Sequence, residues 1–188
     1  MTSNKPFWER ELPNPKEVIV GELAERGEWI VASIQPSSYW PIETQRIEWR
    51  GRVMWVIPVM KGFFPAVAIR VTEGLDRLAC EELIMRFLSN LSWVQGHGYM
   101  VEALTGGSLP APMARGGERP FAIAEEFDLQ YFPEPDNERA LLALALMREG
   151  RGLNHPAYAF LSFFRVLEVA LPHGRRRQRW IETALPDL

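Results

Sequence analysis

The sequence predicts an α+β protein, with an N-terminal mixed antiparallel sheet and one amphipathic helix followed by a short all-helical C-terminal segment. Short runs rich in β-branched and aromatic residues, bounded by glycine and proline, occupy the first half and are typical of strands. One stretch among them has the 3.6-residue apolar period of a helix. Beyond residue 133 only helical patterns remain. We therefore divide the chain into an α+β domain, residues 1–133, and a helical segment, residues 134–188.

Composition bounds the class of protein. The 188 residues suffice for a sizeable core, and the formal charge of −3 gives no global reason to expect nucleic-acid binding. A single cysteine, Cys80, excludes an internal disulfide and fits a reducing compartment. The N-terminus is charged where a signal peptide needs an apolar run, and no segment reaches the roughly 18 apolar residues of a membrane span. We expect a cytoplasmic protein without membrane contact.

The first half reads mainly as strands. Residues 18–27 predict a short strand followed by a turn or a weak helix, and residues 28–35 predict a second strand. Residues 46–60 alternate in polarity around Gly51, which marks either a tight turn or a bulge; periodicity does not choose between them. Residues 66–71 predict another strand.

Four of the seven tryptophans lie in this part of the chain: Trp29, Trp40, Trp49 and Trp55. An aromatic cluster can form a ligand surface, but core filling is the more common role and the one we favour.

Residues 75–94 predict the first clear helix, with an apolar arc of about 140°. The arc consists of Cys80, Leu83, Ile84, Phe87, Leu88 and Leu91. Opposite it lie Glu81, Glu82, Arg86, Ser89, Asn90 and Ser92. This pattern predicts a helix over a sheet with water on its far side, and Cys80 as a small buried hydrophobe. Residues 98–104 predict a strand after it.

The stretch from Thr105 to Pro120 has four glycines, three prolines and no periodicity. Such a long loop is either a functional flap or partner-binding loop or a disordered excursion. Residues 121–132 have room for one more strand.

Two apolar helices are predicted in the helical segment. The first is capped by Asp136 or Asn137 and ends at Gly150, and the second spans residues 153–171. In the second, the polar residues Ser162, Arg165 and Glu168 form one stripe, and the rest of the surface is apolar. We therefore expect both helices to be buried.

The ends of the second helix are marked by Asn154 as cap, Pro156 in the first turn and Pro172 as stop. A final amphipathic piece is predicted for residues 178–188.

No catalytic, metal or cofactor motif is present. His97, His155 and His173 are far apart, with no cysteine or histidine at ligand spacing. The sequence lacks a nucleophile elbow, a metalloprotease helix and a phosphate-binding glycine loop. We assign no catalytic residue, no metal and no cofactor.

One charge cluster stands out near the C-terminus. It consists of Arg175, Arg176, Arg177, Arg179 and the adjacent Trp180. Such a cluster can contact a phosphate backbone, stack on bases or bind a partner. The alternative is a solvated turn between helices whose charges complement the preceding helix C-terminus, which the acidic chain favours.

Three segments together resemble MauJ-like sequences, a family named for methylamine utilization. They are EWIVASIQPSSYWPIETQRIEWRG, LSWVQGHGYMVEALTGGSLPAPMAR and ALALMREGRGLNHPAYAFLSFFRVLEVA, and the resemblance extends from about Glu28 to Trp180. It rests on extended similarity without a catalytic signature. Members of the family look longer than this chain, so the resemblance implies a helical segment that is either incomplete or packed on the first domain.

The resemblance also makes the C-terminal part similar to HEPN-type helical domains, some of which cleave RNA through an Arg-x4-6-His motif. Arg148 and His155 have that spacing, but Gly150 and Gly152 between them predict two separate helices. Catalysis is therefore not carried over to either residue.

The sequence favours a non-catalytic accessory or interaction protein with a protein partner. The alternative is an RNA-linked or defence-type protein with a HEPN-derived helical part that lacks the nuclease motif and binds RNA weakly. A small-molecule enzyme using the tryptophan-rich sheet is a third, less supported class.

Overall fold

The computed structural model describes Pro6 and residues 10–23, 27–35, 39–116, 122–124, 126–127, 129 and 131–184. The strands in this part of the chain are β1 (Trp29–Ile34), β2 (Tyr39–Pro41), β3 (Gln45–Trp49), β4 (Arg52–Ile57), β5 (Ala66–Arg70), β6 (Val101–Gly107) and β7 (Ala122–Ala124). The α-helices are α1 (Arg77–Gln95), α2 (Glu138–Gly152), α3 (Pro156–Ala170) and α4 (Gly174–Ala184). The predicted α+β class is confirmed.

Five strands form one antiparallel sheet in the order β3-β4-β5-β1-β6, and β2 pairs with β7 in a separate parallel pair. β7 is the additional strand predicted within residues 121–132. Arg50 and Gly51 connect β3 to β4 with φ angles of 52° and 68°. Two positive φ angles in a two-residue connection define a type I′ turn, so Gly51 forms a tight turn and not a bulge.

The strand predicted at the start of residues 18–27 is wrong. A π-helical turn, Glu17–Glu22, occupies this position and buries Val18 and Ile19. These side chains, with Leu23, cover the sheet face that carries Trp29 and Val31. Apolar residues on both faces of a sheet need cover on both sides, and this turn supplies it on one side. Residues 24–26 of the predicted turn lie outside the described part.

α1 covers the other face of the sheet. Its predicted apolar arc is confirmed, with Cys80, Ile84, Phe87, Leu88 and Leu91 buried in the main core. The Asp76 side chain accepts a hydrogen bond of 2.8 Å from Ala79 N at the start of the helix. Gly96, with φ of 75°, ends it. Burial raises the pKa of the Cys80 thiol, as expected for a buried hydrophobe.

The tryptophans fill the core, as the sequence favoured. Trp29, Trp40 and Trp49 are buried, and Trp55 is half-buried. Trp40 Nε1 donates to Ile57 O at 2.8 Å, and its ring meets Tyr99 and Phe127 edge to face. Trp40 and Trp49 are enclosed by protein, whereas Trp29 and Trp55 also line a cleft of about 290 Å³ beside Arg46 and Arg52.

The polar side of α1 is partly buried and not fully in water as predicted. Ser89, Asn90 and Ser92, expected in water, are buried because α2 and the segment before it cover them. Each side chain donates to a backbone carbonyl: Ser89 to Met85, Asn90 to Pro133, and Ser92 to His97. Buried polar groups need such partners, and short polar side chains reach them within one helical turn or across to an adjacent loop.

α2 is joined to the α+β part through two arginines. Arg148 Nη1 donates to Tyr99 O at 3.4 Å, and Arg151 Nη1 donates to the carbonyls of Ser92 and Trp93 at the end of α1. Carbonyls in the last turn of a helix have no intrahelical donor, so an arginine from a neighbouring helix satisfies them. The end of α2 also crosses the loop after α1 closely, because a Cβ on Gly98 would collide with backbone atoms of Arg151 and Gly152.

The loop after β6 packs on the sheet as far as it is described. Met113 N donates to Ser33 Oγ at 2.9 Å, and Arg115 N donates to Gly62 O at 2.8 Å. Residues 105–116 are therefore ordered, and the first three of them belong to β6. Residues 117–120 lie outside the described part.

Three predictions for the helical segment are corrected. Asn137 caps α2, but this helix continues to Gly152 and buries only Leu146 and Gly150. His155, not Asn154, precedes α3 and makes no side-chain cap. α3 is not a core helix, since Ser162 is its only buried residue.

The final helix also begins earlier than predicted, at Gly174. The arginine cluster thus forms the first two turns of α4 and is not an interhelical turn. Residues 185–188 lie outside the described part. No helix among the described residues has the length and hydropathy to cross a membrane.

Replacement of Gly98 by alanine is expected to lower the free energy of unfolding by about 2 kcal/mol, because the new Cβ forces the loop away from α2. Urea unfolding measures the loss. Gly116→Ala is the matched control, since nothing lies within 4 Å of a Cβ there. Equal stability of the two variants would contradict the close crossing.

Tyr99→Phe is expected to leave stability at pH 7 unchanged or to raise it by up to about 1 kcal/mol, because the buried Tyr99 hydroxyl has no hydrogen-bond partner. Burial raises the pKa of this phenol, so above pH 10 the unfolded state loses a proton that the folded state keeps. Stability of the parent should therefore fall as pH rises above 10, and the variant should lose less. Urea titrations between pH 7 and 11 test this, with the exposed Tyr158→Phe as control.

Candidate interaction surface and interhelical cleft

α3 contacts α2 through one narrow stripe. Ser162 Oγ donates to Glu149 Oε1 at 3.4 Å, and Phe163 lies over Gly150, where a Cβ would come within 2.7 Å of Phe163 Cε1. The glycine lets the helices approach closely, and the serine supplies the polar contact. The polar stripe identified in the sequence thus contributes Ser162 to the interhelical contact.

Four apolar side chains of α3 are exposed, although they do not share one face of the helix. Tyr158 is 60% exposed, Phe160 65%, Leu161 53% and Phe163 37%. At about 100° per residue, Phe160 lies roughly opposite Ser162, whereas Tyr158 lies close to it. With aromatic side chains presenting 150–250 Å² each, these four and Trp180 expose on the order of 500 Å² in total. We call these five side chains the α3 apolar surface.

α4 carries basic residues on its exposed side. At about 100° per residue, Arg175, Arg176 and Arg179 lie within one third of the helix circumference, with Trp180 at the margin. Trp180 is 43% exposed. These four members of the predicted cluster are brought together on one face, which we call the α4 basic face.

Arg177, the fifth member, faces α3. It donates to Leu171 O at 3.3 Å, contacts Glu168 at 3.5 Å, and its guanidinium lies 5.2 Å from the centre of the Phe164 ring. Its role is to hold α4 against α3, and it is not available to a partner.

The charge of the α4 basic face is not neutralised within the described part of the chain. Glu168 is engaged by Arg177, and Glu182 accepts a hydrogen bond from Gln178 at 2.9 Å. No described carboxylate lies within ion-pair distance of Arg175, Arg176 or Arg179. α4 thus presents three arginines that are unpaired within the described residues, although the chain as a whole is acidic.

A cleft of about 350 Å³ lies between α1 and α2. Its walls are mainly Met85, Leu141, Leu144 and Ala145, and Glu82, Arg86 and Glu138 also line it. This volume falls in the range of small-molecule sites, and the combination of apolar walls with a few polar groups is typical of them.

Two polar atoms buried beside this cleft have no partner. Asn90 is 1% exposed, and its Oδ1 accepts no hydrogen bond while its Nδ2 is used by Pro133 O. Arg148 Nε donates to nothing, since the contacts of this side chain to Tyr99 O and Met85 Sδ both use Nη1. Burial lowers the pKa of the Arg148 guanidinium, because its charge is poorly solvated.

The two residues with the spacing of the RNA-cleavage motif belong to different structural elements. Arg148 lies within α2 and His155 precedes α3, so the predicted separation of this pair onto two helices is confirmed. The His155 ring contacts Tyr158, and the His173 carbonyl accepts from the amides of Arg176 and Arg177. Within the described residues, no three of His, Cys, Asp and Glu are grouped as metal ligands.

Sequence reasoning missed Asn90, Arg148 and the exposure of α3. Asn90 lies on the polar arc of an amphipathic helix, where a solvated side chain is the usual outcome. Arg148 directly follows an apolar run, residues 140–147, and this position is the one sequence signal that could have identified Arg148 as unusual. Nothing in the sequence of α3 indicates which apolar side chains lack a partner.

Residues 143–188 match the family model described as methylamine utilization protein MauJ. The match covers the second half of α2, α3 and α4, about a quarter of the chain. The predicted MauJ-like resemblance is therefore confirmed for these residues, and the HEPN-like resemblance stays a prediction. Neither a curated protein nor a solved structure matches the chain.

The helical segment, residues 136–188, is expected not to fold alone. α2 obtains its arginine contacts and its buried face from α1, and segments of this size are marginal without other stabilisation. Circular dichroism and sedimentation of the isolated fragment test this. A monomeric fragment that melts cooperatively would contradict this expectation. The same experiment tests the predicted division of the chain into residues 1–133 and 134–188.

Proposed function

We propose that the protein is a non-catalytic interaction protein whose α3 apolar surface and α4 basic face bind an acidic amphipathic segment of a protein partner. The observation that carries the proposal is the exposed apolar side of α3. α4, which Arg177 holds against α3, carries three exposed arginines with no described carboxylate within ion-pair distance. The similarity to the MauJ family supplies no activity, so the proposal rests on this surface.

The chemistry of the surface specifies the partner. A partner helix that packs on Phe160 and Leu161, which lie about 100° apart around α3, needs an apolar stripe with i, i+3, i+4 spacing, as in helix-in-groove recognition. The arginines of α4 at the margin favour acidic residues beside that stripe, since complementary charges orient a partner and speed association. Two faces of on the order of 500 Å² each would bury about 1,000 Å², the lower limit of a specific interface.

RNA is the second candidate, supported by Arg175, Arg176, Arg179 and Trp180 on one face of α4. Three guanidinium groups beside an indole can contact phosphates and stack on a base. RNA would leave most of the α3 apolar surface in water, so a protein segment accounts for more of what is exposed. We expect RNA binding that is weak, salt-sensitive and without cleavage.

The test uses a fluorescein-labelled 21-residue peptide with leucine at heptad positions a and d and glutamate on the flanks. Fluorescence anisotropy should give micromolar binding to the parent. Leu161→Glu and the double variant Arg175→Glu/Arg179→Glu should each weaken binding at least tenfold. Arg139→Glu, an exposed arginine on α2, is the matched control and should bind as the parent does.

Two further probes separate the candidates. A peptide with lysine in place of glutamate should not bind. Labelled single-stranded U20 RNA in EDTA should bind weakly and stay uncut by the parent, His155→Ala and His173→Ala. RNA binding that is tighter than peptide binding and unaffected by Leu161→Glu would overturn the protein-partner proposal. RNA cleavage lost in either histidine variant would overturn the non-catalytic one.

A further inference from the structure

We propose that the cleft lined by Arg46, Arg52 and Trp55 is a binding site for a free aromatic phosphate monoester of mononucleotide size. The cleft has a volume of about 290 Å³ and lies at the end of the sheet where β3 turns into β4. Its lining residues include three arginines and two tryptophans, and none of those described carries a carboxylate. No residue of α3 or α4 lines it, so the site is independent of the proposed partner surface.

The strand register places Arg46 beside the indole of Trp55. The two residues are opposite each other in β3 and β4, and Ala68 is opposite Trp55 on the other side. Opposite residues share a face of the sheet, with Cβ atoms about 4.5–5.5 Å apart. Trp55 packs against the cluster beneath the π-helical turn, is half-buried and also lines the cleft. The part of the indole that borders the cleft can stack on the aromatic ring of a ligand.

Arg46 and Arg52 supply the anion-binding groups. Arg46 is exposed and Arg52 is half-buried, so a ligand in the cleft can reach both guanidinium groups. Neither side chain forms an ion pair or a hydrogen bond within the described residues. The neighbouring Arg50, in contrast, donates to Pro135 O at 3.1 Å. Two unpaired cations at one cleft repel each other, and an anion bound between them replaces repulsion by attraction.

The carboxylates that adjoin the cleft in the chain or in the register do not line it. They are Glu28, Glu48, Glu73 and Asp76, and all four are exposed to water. Asp76 is in addition engaged with Ala79 N at the start of α1. Exposed charges are screened by water and salt, whereas a ligand in direct contact with guanidinium groups is not screened from them. An anion is therefore compatible with this part of the surface.

The number of arginines and the size of the cleft define the ligand. A phosphate monoester has a charge of about −1.5 to −2 at neutral pH, so it can pair with Arg46 and Arg52 together, whereas a carboxylate has one charge only. Guanidinium groups bind phosphate oxygens with directed, often bidentate hydrogen bonds. The volume is close to the lower limit of about 300 Å³ for small-molecule sites, which suits one aromatic ring system and one phosphate.

The test uses AMP as the probe and the full chain labelled with ¹⁵N. The readout is the indole Nε1–H signal of Trp55, assigned by its loss in Trp55→Phe. We expect a saturable shift of this signal with a dissociation constant below about 1 mM. Adenosine, which lacks the phosphate, and ribose 5-phosphate, which lacks the aromatic ring, should each bind at least tenfold more weakly.

Arg46→Gln and Arg52→Gln should each weaken AMP binding at least tenfold. Arg46 is exposed on an edge strand, so Arg46→Gln should keep the backbone amide spectrum of a folded chain. Arg139→Gln, at an exposed arginine of α2, is the matched control and should bind AMP as the parent does. The double variant Arg175→Glu/Arg179→Glu should also bind AMP normally, which separates this site from the α4 basic face.

Three results would overturn the proposal: no saturable shift with AMP, equal affinity for adenosine, or unchanged AMP binding in Arg46→Gln. A fourth concerns the source of the phosphate. If 5′-phosphorylated U20 RNA binds at least tenfold more tightly than AMP and loses this binding in Arg46→Gln, the ligand is a strand end and not a free nucleotide.

Discussion

The contacts of Arg148 and Arg151 with backbone carbonyls at and beyond the end of α1 are the interactions on which the whole helical part depends. α2 buries only Leu146 and Gly150, so apolar burial alone does not fix its position. The guanidinium groups supply donors that the last turn of α1 lacks, and Gly98 allows the chain to come close enough for these bonds to form. α3 packs on α2, and α4 packs on α3 through Arg177, so the positions of both helices depend on this junction.

The same junction creates the cleft. Arg148 must enter a space between α1 and α2 to reach Tyr99 O, and its aliphatic stem and the leucines of α2 keep the two helices apart there. A guanidinium in this position satisfies one carbonyl and leaves its Nε edge without a partner. Arg148 thus holds α2 in place and also lines the cleft, which Glu82 and Glu138 line as well.

The helical part has more apolar surface than the described chain can cover. α2 offers α3 a single stripe in which Gly150 and Glu149 accommodate Phe163 and Ser162. Tyr158 and Phe160 then stay largely exposed, and α4 packs on α3 through Arg177 over the Phe164 ring. In the complex that we propose, burial of this surface would supply most of the binding free energy, and the arginines would orient the partner.

The sequence determined the local structure. Most strands and α1 followed from residue type and period, a cap at Asp136 or Asn137 followed from backbone chemistry, and the arc from Cys80 to Leu91 predicted the main core. The choice between a turn and a bulge at Gly51 required the register of β3 and β4. The tertiary structure decided which surfaces meet. An apolar period indicates that a helix can be buried, but only a neighbouring element buries it, and α2 and α4 leave Tyr158, Phe160 and Leu161 of α3 exposed. Likewise, the sequence indicates a solvated Asn90, whereas α2 covers this residue in the structure. The environment of a polar group depends on packing between segments far apart in the chain.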